Sequence, residues 1–154
     1  MNANRAWRER RRRDEGAALV EFALVAPVLF LILFGIIEFG WAFSQVLDIR
    51  HGAREGARLV AVNYQENPTD TGDAQLTQIA AETCARLSND NGAELTIERS
   101  GDAVGQIATV EISRDLETLT GFLDFALGGI TLSSKAETRL EQAATWAEGT
   151  RACP

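Results

Sequence analysis

Hydrophobic and polar positions change their pattern several times along the chain. From Phe22 to Ile37, FALVAPVLFLILFGII, no side chain is charged or strongly polar, and across Glu38 the apolar character continues to Phe43. A helix that crosses a membrane needs about 20 mostly apolar residues. The stretch 17–43 meets that length, with Glu21 near one end and Glu38 toward the other. Pro27 falls in its first turns, where membrane helices tolerate proline better than soluble ones do. No segment beyond Ser44 is long and apolar enough to span a bilayer. The helical pattern continues through QVLDIRHGAREGARLVAVN, with no breaker before the region 63–68.

Within that extension Arg50, Arg54 and Arg58 recur every four residues as a basic stripe. Gly52, Ala53, Gly56, Ala57 and Ala61 form a second face of small residues, at the spacing that lets another backbone approach closely. This face fits packing on the chain's own sheet as well as packing on another subunit. Two glycines in a helix cost about 1 kcal/mol each when exposed, so close packing is expected to offset them.

After a turn at QENPTDTGDA, the segment DAQLTQIAAETCARLSND places Leu76, Ile79, Ala80, Thr83, Cys84 and Leu87 at helical spacing. Asp73 is the expected N-cap and Asn91-Gly92 the stop. Alternation then replaces helical periodicity. AELTIERS and QIATVEIS flank the connection SGDAVG and read as an antiparallel hairpin. LETLTGFLDFALGG is an apolar loop or short helix, and the run Phe122–Leu127 is expected in the core. ITLSSKAETRLE is expected to be a third strand, and the tail QAATWAEGTRACP fits no single element. The pattern therefore predicts an α+β fold: a long N-terminal transmembrane helix continuing into a small domain with a second helix and a three-stranded antiparallel sheet.

Charge orients this arrangement. Residues 1–16 carry six arginines against Glu9, Asp14 and Glu15, and removing that net +3 from the total of −7 leaves −10 for residues 17–154. Positive flanks stay on the cytoplasmic side of a membrane, so the start of the chain is expected inside the cell and the acidic body outside it. A body this acidic argues against nucleic-acid binding. Domain by domain, we expect a disordered cytoplasmic leader at 1–16 with helix one starting near Ala17, a transmembrane helix at 17–43, a helix extension at 44–66 and an extracytoplasmic α+β domain at 67–154.

Cys84 and Cys153 both lie in the body, where export permits disulfides. They allow one intramolecular bridge, two free thiols or an intermolecular link. Little else carries chemistry. The single histidine, His51, lies beside arginines on the helix extension. No HExxH, GxSxG or phosphate loop occurs, and Asp70 and Asp73 in DTGD lack the spacing of a calcium loop. The reading is a non-enzyme without metal or cofactor and without a small-molecule substrate. Trp41 is placed as an anchor at the bilayer interface, and Trp146 as a candidate surface contact. A conventional secretory signal fits poorly, because the apolar run exceeds the usual 7–15 residues and WAFS is a weak cleavage site.

Gly16, four residues, then Glu21-Phe22 and an apolar run resemble the class III signal of type IV prepilins. The longer stretch GAALVEFALVAPVLFLILFGIIEFGWAFSQVLDIRHGAREGARLVA is similar to the N-terminal region of the TadE-like family, minor pilins or pseudopilins of the Tad (Flp) pilus system. The resemblance is carried by 21–27, by 35–40 and by AREGAR at 53–58, and it covers 16–62. It implies a pilin-like fold and cleavage by a membrane prepilin peptidase between Gly16 and Ala17. It also implies an assembly role for Glu21 and Phe22. The implied partners are the peptidase, other pilin subunits and an inner-membrane assembly platform, with the protein held single-pass in the cytoplasmic membrane. The alternative is an unprocessed, membrane-anchored binding or adhesion module.

Overall fold

The structure, a computed structural model, describes residues 3–121 and 124–153, with side chains from Gly16 on apart from that of Ala126. It divides into two compact units, Met1–Phe39 and Gly40–Pro154. The first helix, α1, runs Ala3–Ala61. It starts well before Ala17, so 3–16 is helical rather than disordered. The reason is local: arginine and glutamate are good helix formers, and nothing in RAWRERRRRDE breaks a helix.

The end of α1 is built by Asn63. It takes the left-handed conformation with φ 53°, which asparagine adopts more readily than most residues. That turn sends Tyr64 N–H back to the Leu59 carbonyl at 3.0 Å and Asn63 N–H to the Val60 carbonyl at 3.2 Å. These two bonds satisfy carbonyls that a helix end otherwise leaves orphaned. The second helix, α2, is Asp73–Cys84, and its N-cap is Gly72 rather than Asp73. Asp73 stands in the first turn, where its charge suits the helix dipole, and it pairs with Arg151 at 2.7 Å.

Strands β1 (Glu94–Arg99) and β2 (Ile107–Asp115) form the expected hairpin, with Leu95 opposite Ile112 and Ile97 opposite Val110. A one-turn helix, α3, follows at Asp124–Leu127, then β3 (Thr131–Arg139) beside β2. The sheet has a fourth strand, β4 (Gly149–Ala152), antiparallel to β1. The order is β3-β2-β1-β4, so the three-stranded expectation falls one strand short. Periodicity could not reveal β4: it is four residues long, opens on glycine and is a strand only through its pairing with β1.

One face of the sheet is covered and one is open. Leu95, Ile97, Ala108, Val110 and Ile112 are fully buried against Ile49, Ala53 and Val60 of α1 and Leu76 and Ile79 of α2. Trp146 belongs to this core with no exposed surface, which overturns its assignment as a surface contact. It is drawn in by a backbone bridge to Gly72 and by Arg99, whose guanidinium lies 4.6 Å from the ring centroid. Such a stack on a buried indole is favourable. The opposite correction holds in the α3 region: Phe125 is 87% exposed, because a single turn cannot carry it to the core. Phe122 and Leu123, part of the same expectation, lie outside the described residues.

Candidate functional site

Within the first unit the candidate site is the start of the apolar helix. Gly16, Ala17, Glu21 and Phe22 lie on consecutive turns of α1 and are all exposed. An ideal Cβ built on Gly16 would meet no atom within 4 Å among the described residues. Ala17 and Glu21 are separated by four residues and therefore share one helix face, about 6 Å apart along the axis. From Leu19 to Phe39 the large apolar side chains remain uncovered, among them Leu24, Val25, Leu31 and Ile36. A continuous apolar surface of this kind requires lipid or other helices around it. The helix contains a window long and apolar enough to cross a membrane, which supports single-pass anchoring. Glu38 differs from its neighbours in being buried.

In the second unit, the small-residue face of α1 packs inside the chain. A Cβ on Gly52 would stand 2.5 Å from Leu87 Cδ2 and 2.9 Å from Ile112 Cδ1. One on Gly56 would stand 3.0 Å from both Thr83 Cγ2 and Val110 Cγ1. Ala53 and Ala57 are buried beside them. These four residues let α1 approach α2 and β2 together. The basic stripe on the other side is unevenly used. Arg58 binds Glu55 at 2.8 Å, and Arg86 lies 3.7 Å from the same carboxylate. The hydrogen bond from Arg58 holds the Glu55 carboxyl below its ordinary range, against a smaller opposing effect of burial.

A cavity of about 300 Å³ opens beside Trp41, Gln45, Asp48, His51, Asn89 and Arg114. Most of its polar groups are already engaged. Gln45 brackets Glu117, donating to its carbonyl at 2.7 Å and accepting from its N–H at 3.1 Å. Asp48 accepts from the Ser88 N–H at 2.9 Å and lies 3.7 Å from Arg114. Arg114 is almost fully buried and also donates to the Asn89 carbonyl. Sequence reading passed over Arg114, although its signal is present: it shares the inward parity of Ala108, Val110 and Ile112 on β2. His51 is exposed. Among the described residues no three metal-ligating side chains converge. The arrangement does structural work, joining α1 to the loop after α2 and to β2.

The tail is fixed covalently. Cys84 and Cys153 are joined by a disulfide, with Cα atoms 5.6 Å apart, and Cys153 N–H donates to the Ala93 carbonyl at 2.8 Å. The bridge ties the end of α2 to the residue after β4.

The comparison with protein families bears on the first site and on the small-residue face. The model described as TadE-like protein matches residues 16–58. Residues 16–58 are similar to the TadE-like family. The match begins at Gly16 and ends with the AREGAR stretch, so the TadE-like segment spans the open glycine, the exposed apolar helix and the glycines that seat α1 on the sheet. Comparison with curated proteins and with solved structures finds no match.

Proposed function

We propose that this chain is a minor pilin or pseudopilin of a Tad-type pilus, processed by a prepilin peptidase between Gly16 and Ala17. What supports the reading is the TadE-like match, which starts at Gly16, the residue before the proposed cut. Gly16 suits it in carrying no side chain that would obstruct a protease at the membrane face. The leader arginines hold the cut site in the cytoplasm and the acidic body passes outside the cytoplasmic membrane. Helix 17–43 stays in the bilayer as an assembly-ready anchor.

Cleavage also explains Glu21. A carboxylate at the bilayer centre costs about 2.5–3.5 kcal/mol on the mildest scale. The cost is smaller near the interface but still needs an offset. Removing the leader creates an ammonium at Ala17, and Glu21 pairs with the Ala17 amine of a neighbouring subunit during assembly. The platform, the peptidase and sister subunits are the partners this requires, and adhesion follows from the filament.

Sequencing the N-terminus of membrane-extracted protein is expected to begin at Ala17. An intact Met1, or a start after Ser44, overturns the processing step and returns the chain to an unprocessed anchored module. Glu21→Gln is expected to leave cleavage intact while pilus assembly fails. Normal pili in that strain reject the pairing role.

A further inference from the structure

We infer that the exported body stacks head to tail on further copies of itself, the arginine side of α1 in one copy resting on the open sheet face of the next. The starting observation is a pair of cations that form no ion pair among the described residues. Arg50 and Arg54 are exposed, and among the described residues neither is in an ion pair, although Arg58 on the same stripe is. At 100° per residue they lie on the opposite side of α1 from Gly52 and Gly56 and so turn away from the helix's own sheet.

The second observation is the sheet's other face. Its residues alternate with the buried ones and carry Glu94 and Glu98 on β1, Glu111 on β2 and Glu137 on β3, against Lys135 and Arg139. None of these four glutamates forms an ion pair among the described residues. The register puts Glu98 and Glu137 on either side of Thr109, and Glu111 in the next row. Rows on one face of a strand are about 7 Å apart, and Arg50 and Arg54 are about 6 Å apart along α1. Two cations one helical turn apart therefore match the Glu98/Glu137 row and Glu111 in the next, where Lys135 stands opposite Glu111.

The geometry favours a second copy over other partners. Both faces belong to the same unit, 40–154, so each copy offers one of each. A contact between two different faces of identical chains is heterologous and propagates. Layering helix on sheet also keeps every copy in the same orientation, as anchoring in a single membrane demands. An isologous contact through the arginine side would set like charges together. The contact deepens the pilin reading, on which its place in a filament rests.

The test uses the full chain in liposomes, labelled for energy transfer between copies. Wild type is expected to associate, more weakly as salt rises. R50E/R54E makes both faces acidic and E98R/E111R makes both basic, so each variant alone is expected to lose association by about tenfold or more. Mixing the two restores complementarity at every contact, and association is expected to recover in the mixture. Recovery also shows that both variants are folded. Wild-type chains that do not associate, variants that associate normally, or a mixture that does not recover overturn the contact. So does a loss that tracks the anionic lipid content of the vesicles, which would assign Arg50 and Arg54 to lipid headgroups. No pilus or peptidase enters this experiment, so its failure leaves the processing reading standing.

Discussion

A glycine in an exposed helix costs about 1 kcal/mol relative to alanine, yet α1 carries two of them one turn apart. Their surroundings supply the compensation. Gly52 admits the methyls of Leu87 and Ile112, and Gly56 those of Thr83 and Val110, so three elements meet where any side chain would hold them apart. Gly52→Val should therefore destabilise the body by about 1–3 kcal/mol, the usual cost of overpacking. Gly35→Val, where no atom stands within 4 Å of the ideal Cβ, should leave unfolding of the body unchanged. Denaturant unfolding of the two variants side by side checks this. The small residues themselves were plain in the sequence. Which surface they met was not, because a face of glycine and alanine is compatible with any partner that comes close.

Among the elements, β4 depends most on its neighbours. It is four residues long and is held by pairing with β1, by Arg151 on Asp73 and by the Cys84–Cys153 bridge. The bridge closes a separation of 69 residues, and a disulfide typically gives about 2–4 kcal/mol. Cys84→Ala with Cys153→Ala is expected to lower stability by that amount. Amide exchange should accelerate first at 149–153, while β2 and β3, paired over nine residues, stay protected. Uniform exchange across the sheet would show instead that β4 is held by packing alone. Helix α2 and the β1–β2 hairpin were legible because their periods of 3.6 and 2 are properties of the chain itself. The short β4 has no such period.

At the scale of the molecule, the division at Phe39/Gly40 makes a direct statement about folding. Ile49, Ala53 and Val60 of α1 belong to the core of the second unit. A fragment beginning at Gly40 is expected to fold and to form its disulfide. One beginning at Val62 lacks those core residues and should remain unfolded, as read by circular dichroism and thiol titration. The helix extension is thus part of the body as well as a continuation of the anchor.

By itself, the sequence determined the apolar helix, its charge asymmetry, the Gly16–Glu21–Phe22 motif and the alternating strands. Each of these depends on local order: composition, spacing and period are complete within a few turns or a single strand. Tertiary structure alone decided that Trp146 lies in the core, that Phe125 does not, and that GTRA is a strand. It also decided that Arg114 is buried against Asp48, and that among the described residues Arg50 and Arg54 form no ion pair while Arg58 does. Those outcomes depend on which residues distant in the chain meet, and burial and pairing are properties of the meeting rather than of either residue.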